Sequence, residues 1–245
     1  MDDFSTLRIE HLAKAYGKKQ VVKDISFSMR SGQIIGLLGP NGAGKTTTFY
    51  MIVGFLKVNG GRIFLDGEDI TSLPMYQRSR KGLSYLPQEP SIFRKLSVED
   101  NIRLVVETRQ DLDSRKKDSL VERLLKEFGI GQLRRQKGYT LSGGERRRTE
   151  IARALGCSPK FLLLDEPFAG IDPKAVYEIK QIIKALAENG IGILLTDHNV
   201  RDTLAITTCA HIINEGTILV SGGKEELLAD TVAREIYFGE GFEEE

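Results

Sequence analysis

Gly39-Pro40-Asn41-Gly42-Ala43-Gly44-Lys45-Thr46 is the stretch whose reading decides the fold. It fits G-x-x-x-x-G-K-[ST], the phosphate-binding loop. Gly42 and Gly44 let the backbone take conformations that a Cβ forbids and approach a ligand closely. Successive N–H groups then form an anion-binding nest. Lys45 adds a charge for the β- and γ-phosphates, and Thr46 offers a hydroxyl to Mg²⁺. The flanks agree. Gln33 to Leu38 is an apolar strand, and Thr46 to Leu56 (TTTFYMIVGFL) reads as a helix whose N-terminus also favours phosphate.

The rest of the composition narrows the class. A chain of 245 residues, 40% hydrophobic, holds one large domain or a domain with a lobe. The formal net charge of +1 gives no global basic field, so nucleic acid is not an expected partner. Cys157 and Cys209 lie far apart and outside any ligand motif, which points to a reducing compartment. His11, His198 and His211 are scattered, which argues against a zinc site. The N-terminal MDDFSTLRIE lacks a signal peptide's apolar core. No apolar run approaches the roughly 18 residues a spanning helix needs, so any membrane association is peripheral, through a partner.

Taken in order, residues 7–30 alternate as β-structure, in Leu7-Arg8-Ile9-Glu10 and again from Asp24 to Met29. Tyr16 lies between, near a turn. It can stack on a purine or pack on the sheet, and spacing leaves both open. Residues 61–70 read as strand, Asp-Gly turn, strand. Residues 83–87 form a short strand that ends at Gln88, and 89–97 is a loop. Helical periodicity then takes over, in Val98 to Thr108 and Ser114 to Phe128. The dense charge at 113–118 suits a solvated helix face.

Leu141-Ser142-Gly143-Gly144-Glu145 has the S-x-x-E spacing of a capping box. It is either a plain capped helix start or, with Gly143 and Gly144 leaving N–H groups accessible, a second anion site. Arg146-Arg147-Arg148 spreads over different helix faces and is weak support for nucleic acid. Lys160 to Pro167 is an apolar strand ending in two carboxylates. Such a run suits a strand buried on both faces of a parallel sheet. Asp165 at its end is placed to hold Mg²⁺, and Glu166 to orient or deprotonate water. A turn at 170–173 and a helix from Lys174 to Asn189 follow. Ile191 to Thr196 is another buried strand. It delivers His198 to the carboxyl edge that also carries Lys45 and Glu166, where open parallel sheets bind ligands. The chain closes with strands over 211–221, a helix over 223–237 and an acidic EGFEEE tail expected to fray.

With these motifs in this order, the chain resembles the ATP-binding-cassette (ABC) ATPases over essentially its whole length. The resemblance implies a P-loop NTPase fold of class α/β: a RecA-like core, an antiparallel β-subdomain and an inserted helical lobe. Core and β-subdomain would occupy about 1–88 and 159–245, and the lobe about 89–158. It implies ATP and Mg²⁺ as ligands. Tyr16 matches the adenine-stacking position. Gly39, Pro40, Asn41, Gly42, Ala43, Gly44, Lys45, Thr46 and Thr47 match the nucleotide-binding loop, and Gln88 the Q-loop glutamine. Ser142, Gly143 and Gly144 match the signature, Asp165 and Glu166 the Walker B pair, Asp172 the D-loop and His198 the switch histidine. Catalysis would fall to Glu166, His198, Gln88 and Lys45, and metal binding to Thr46, Gln88 and Asp165.

Finer stretches, among them YLPQEPSIFRKLSVEDN and LLTDHNVR, are similar to the lipopolysaccharide-exporter branch of that family. That branch implies a homodimer on the cytoplasmic face of the bacterial inner membrane. It also implies two LptF/LptG-like transmembrane permease subunits, bound through a groove near Phe93 and Arg94. Phe93 would anchor that groove or pack in the lobe's core. Branched-chain amino-acid importer ATPases are the nearest competitor, but usually carry a longer segment before the Q-loop. DNA-repair and translation relatives carry long insertions or tandem cassettes, which this chain lacks.

Overall fold

The computed structural model describes residues 4–238. The acidic tail therefore lies outside the described residues. The chain opens with two long antiparallel strands, β1 (Thr6–Tyr16) and β2 (Lys19–Arg30). β3 (Ile34–Leu38) leads into helix α1 (Lys45–Val53). β4 (Gly60–Leu65) and the two-residue β5 (Glu68–Asp69) pair with each other, and β4 also pairs antiparallel with β1. After α2 (Met75–Arg80) comes β6 (Leu83–Leu86). Helices α3 (Val98–Val106), α4 (Ser114–Glu127) and α5 (Gly143–Leu155) all lie between β6 and β7 (Phe161–Asp165). α6 (Pro173–Glu188), β8 (Gly192–Thr196) and α7 (Val200–Leu204) follow. β9 (Cys209–Asn214), β10 (Thr217–Gly222) and α8 (Lys224–Ala229) complete the regular elements, before a short helical turn at Thr231–Ala233.

The strand order is β5-β4-β1-β2-β10-β9-β3-β8-β7-β6. Strands β6, β7, β8, β3 and β9 run parallel, and β1, β2, β4 and β5 form the antiparallel part. The central strands are buried on both faces, which is why their sequences are continuously apolar. Along β7, Leu162 and Leu164 pack with the helical lobe and α6, through Ile102, Leu124, Ile151 and Ile179. Phe161 and Leu163 face the other way, into a core with Phe49 and Ile52 of α1 and Leu7 and Ile25 of the antiparallel strands.

Boundaries move where a local conformation overrides periodicity. α1 stops at Val53 rather than Leu56, because Gly54 takes a left-handed φ of 85° and its N–H bonds back to the last turn. The single helix expected over 223–237 is broken. Asp230 leaves helical geometry, with ψ 126°, and its carboxylate caps a new turn at the Ala233 N–H, 2.8 Å away. α2 and α7, six and five residues long, are too short to show a period and were not anticipated.

Candidate functional site

Four parallel strands deliver their carboxyl ends to one edge of the sheet. β3 ends at the glycine-rich loop, β6 before Gln88, β7 in Asp165 and β8 before Asp197 and His198. The loop is shaped by its surroundings. Gly39 has φ 148°, and a Cβ there would sit 2.0 Å from the Ile213 carbonyl oxygen of β9. Only glycine lets β3 turn out of the sheet at that point.

Lys45 is 7% exposed, and its ammonium donates to Gly39 O at 2.7 Å and Pro40 O at 3.0 Å. Burial pulls it below the usual lysine range, and the charges of Glu166 and Asp165 oppose that. The charge is thus held inside its own loop, close to two carboxylates. Thr46 is exposed in the first turn of α1, and Thr47 is half-buried beside it.

Glu166 is gripped from both sides. Its Oε2 accepts from Gln88 Nε2 at 2.5 Å, and its Oε1 meets His198 Nε2 at 2.6 Å. His198 is more than half exposed, so the imidazole reaches a nearly buried carboxylate from the open side. The Glu166 backbone adopts φ 46°, an uncommon region for a residue with a side chain, and its N–H donates to Thr196 O of β8 at 2.8 Å. That conformation persists because neighbours on both strands fix it.

Asp165 is 2% exposed and accepts from the Tyr85 hydroxyl at 3.2 Å. Burial raises its carboxyl above the ordinary range, the Tyr85 bond lowers it, and Glu166 raises it again. Among the described residues no group of three or more His, Cys, Asp or Glu forms a metal cage. One buried carboxylate with an exposed threonine and an amide suits Mg²⁺, which keeps several waters and shares its shell with phosphate oxygens.

The signature residues form a separate cluster. Ser142 caps α5, with its N–H on Glu145 Oε2 at 2.8 Å and its hydroxyl accepting from Glu145 N. Gly144 presses on α6, where a Cβ would sit 2.7 Å from the Ala175 Cβ. Asp172 caps α6 by accepting from Ala175 N at 3.0 Å. Among the described residues no hydrogen bond joins Ser142–Gly144 to the glycine-rich loop. Tyr16 lies apart at the end of β1, half exposed, with the Lys14 ammonium 5.6 Å from its ring centroid.

The loop after Gln88 splits its apolar pair. Ile92 is buried in the lobe's core, whereas Phe93 is 49% exposed, under the Arg153 guanidinium at 5.4 Å.

One ion pair and one carboxylate hold the site in ways that sequence spacing did not single out. Arg147 is 6% exposed and donates to Pro87 O at 3.0 Å, Pro167 O at 3.2 Å and Asp165 O at 3.3 Å. Its partner Glu150, at 3.4 Å, accepts from the N–H groups of Ser91 and Ile92. This pair ties α5 to the loop that follows β6 and to the end of β7. The three arginines do face different ways, and Arg148 pairs with Glu178 of α6. The signal missed was the i,i+3 spacing of Arg147 and Glu150 on one helix face. Asp197 is the carboxylate, a buried clamp accepting from Asn199 N at 2.9 Å and Phe168 N at 3.2 Å.

Comparison with known proteins identifies the family. The family model described as ABC transporter matches residues 22–169. The lipopolysaccharide export system ATP-binding protein LptB of Escherichia coli K12 is 52% identical over 238 residues, covering 97% of this chain and 99% of that protein. A probable ABC transporter ATP-binding protein of Azorhizobium caulinodans is 54% identical, covering 94% of this chain and 82% of its own. Among solved structures, a nucleotide-free ATP-binding cassette from an ABC transporter is 28% identical. It superposes with a TM-score of 0.85 over 96% of this chain and 100% of its own.

Proposed function

The chain belongs to the ABC transporter family of ATP-binding proteins, and from that premise we propose that it hydrolyses ATP to drive lipopolysaccharide out of the inner membrane. That it is the ATPase subunit of an ABC transporter follows from the family. The choice of lipopolysaccharide is supported by the 52% identity to the E. coli export protein over 97% of the chain. The single observation that carries the chemistry is the Glu166 carboxylate held between Gln88 and His198.

In this reading Glu166 takes the proton of the attacking water, and Gln88 and His198 fix the carboxylate that receives it. Lys45 binds the β- and γ-phosphates, and the N–H groups of residues 39–47 cradle them. Thr46, Asp165 and Gln88 would hold Mg²⁺, which when bound offsets charge on the phosphate oxygens. Tyr16 stacks on the adenine through its exposed face. Ser142, Gly143 and Gly144 complete the site of a second copy, with Asp172 beside them. An isologous homodimer satisfies both sites at once. Each copy sits on the cytoplasmic face of the membrane and engages an LptF/LptG-like permease subunit through Phe93 and Arg94. The exposed ring of Phe93 supports that role, since aromatic side chains and arginines anchor interfaces most often.

Glu166→Gln tests the chemistry. Hydrolysis is expected to fall by on the order of 10² or more, given the usual size of general-base effects, with ATP binding retained. The variant should run as an ATP-bound dimer in size exclusion with Mg-ATP. A monomer that still hydrolyses ATP contradicts both the role and the dimer. Reconstitution with the co-purifying membrane subunits tests the cargo. ATP-dependent release of lipopolysaccharide from proteoliposomes is the expected result, and release of another substrate class alone overturns it.

A further inference from the structure

Asp165 has one recorded side-chain hydrogen bond among the described residues, and it comes from Tyr85. The sheet dictates that meeting. β6 and β7 run parallel with Tyr85 opposite Leu163, so Asp165 lies two residues further along the same face of the neighbouring strand. That face is the one packed against α1, which carries Thr46 in its first turn. The Tyr85 hydroxyl donates to Asp165 Oδ2 at 3.2 Å. It therefore occupies one carboxylate oxygen and fixes the rotamer that directs the other.

Tyr85 does not stand alone. Its ring meets Tyr50 edge-on, with centroids 6.1 Å apart and an interplanar angle of 87°. It meets Phe55 in the same way, at 6.1 Å and 79°, and Tyr50 and Phe55 meet at 5.7 Å. Edge-to-face contacts of this kind have a preferred geometry, so displacing one ring displaces the others. Tyr50 belongs to α1, which begins at Lys45, and Phe55 follows the Gly54 cap and is 58% exposed. A large exposed ring thus connects to the α1 helix and, through one hydroxyl, to the buried carboxylate.

We propose that Tyr85 is the positioning residue of the metal-holding aspartate, and that Tyr50 and Phe55 hold the Tyr85 ring in the orientation that does so. The inference rests on the reading of Asp165 as a Mg²⁺ ligand.

The experiment titrates Mg²⁺ at fixed ADP and reads the ligand-induced rise in melting temperature, with ADP affinity in EDTA as control. Tyr85→Phe keeps the ring and deletes the hydroxyl. Its apparent Mg²⁺ affinity is expected to fall roughly tenfold, the usual size for loss of a group that orients a metal ligand. ADP affinity in EDTA and the ligand-free melting temperature should stay at wild-type values, which a general packing defect would not allow. Phe55→Ala should weaken Mg²⁺ in the same direction by a smaller factor. Asp165→Asn separates the two readings. If it loses Mg²⁺ affinity while Tyr85→Phe keeps it, the positioning role is overturned. If Asp165→Asn itself keeps wild-type affinity, the metal reading fails and the inference with it. Wild-type Mg²⁺ affinity in Phe55→Ala would overturn the part given to the ring stack.

Discussion

Arg78 offers a sharp test of how the α1 end of the site is built. It is 2% exposed, and its guanidinium donates to four carbonyl oxygens: Leu73 at 2.8 Å, Met51 at 2.8 Å, Ile52 at 2.7 Å and Thr71 at 2.7 Å. Met51 and Ile52 lie in the last turn of α1, where carbonyls lack the i+4 N–H that the helix interior supplies. Charge-assisted bonds at about 2 kcal/mol each give about 8 kcal/mol for the set. Burial works against them and pushes the Arg78 pKa down to about 10 from 12.5, with the Asp69 charge opposing. That shift corresponds to about 3 kcal/mol against the charged form. The balance is about 5 kcal/mol, so Arg78→Ala should lose roughly that much. For a chain of this size the melting temperature should fall by about 10–20 °C. Arg78→Lys should recover only part of the loss, because a single ammonium cannot fork among four oxygens. Thermal unfolding followed by circular dichroism is the assay. A fall of less than about 4 °C in Arg78→Ala, equivalent to 1–2 kcal/mol, would refute the reasoning.

Three further outcomes are expected. Lys45→Ala should abolish hydrolysis and weaken nucleotide binding, by removing the charge proposed to face the phosphates; near-normal turnover would sink the assignment. Phe93→Ala should cost the isolated protein only about 1–2 kcal/mol, since a 49% exposed ring gives up less than the 3–5 kcal/mol of a core phenylalanine. Its main effect should be lost co-purification with membrane subunits, and full assembly would defeat the anchor role. His211 is buried beside Phe27, with Nδ1 on Ser221 Oγ at 2.7 Å and Nε2 without a partner, and burial pushes its pKa down to about 4. Between pH 6.5 and 4 the unfolded chain takes up a proton that the folded chain refuses, so stability falls as pH falls through that window. The loss approaches about 3 kcal/mol at the acid end, and His211→Gln should flatten that part of the urea-denaturation pH profile; an unchanged slope would contradict the assignment.

The sequence by itself located the candidate residues that lie within a few residues of a strand end. Lys45, Asp165, Glu166 and His198 each follow an apolar run that could only be a buried strand, so composition and motif fixed type and place together. The capping spacing of Ser142 and Glu145 was legible for the same reason, because a helix start is a local matter of four residues. Tertiary structure alone decided what these residues touch. Glu166 meets Gln88 across 78 positions of sequence, and Tyr85 meets Asp165 across 80. Arg78 and Arg147 look like surface cations in sequence, and became buried hubs because carbonyls from distant segments converge on them. The division between Ile92 and Phe93, adjacent and both apolar, was likewise set by which side of the loop the lobe's core occupies. Period and propensity act over a turn or a strand, whereas partners are chosen by packing and register, and no window of sequence contains both sides of such a contact.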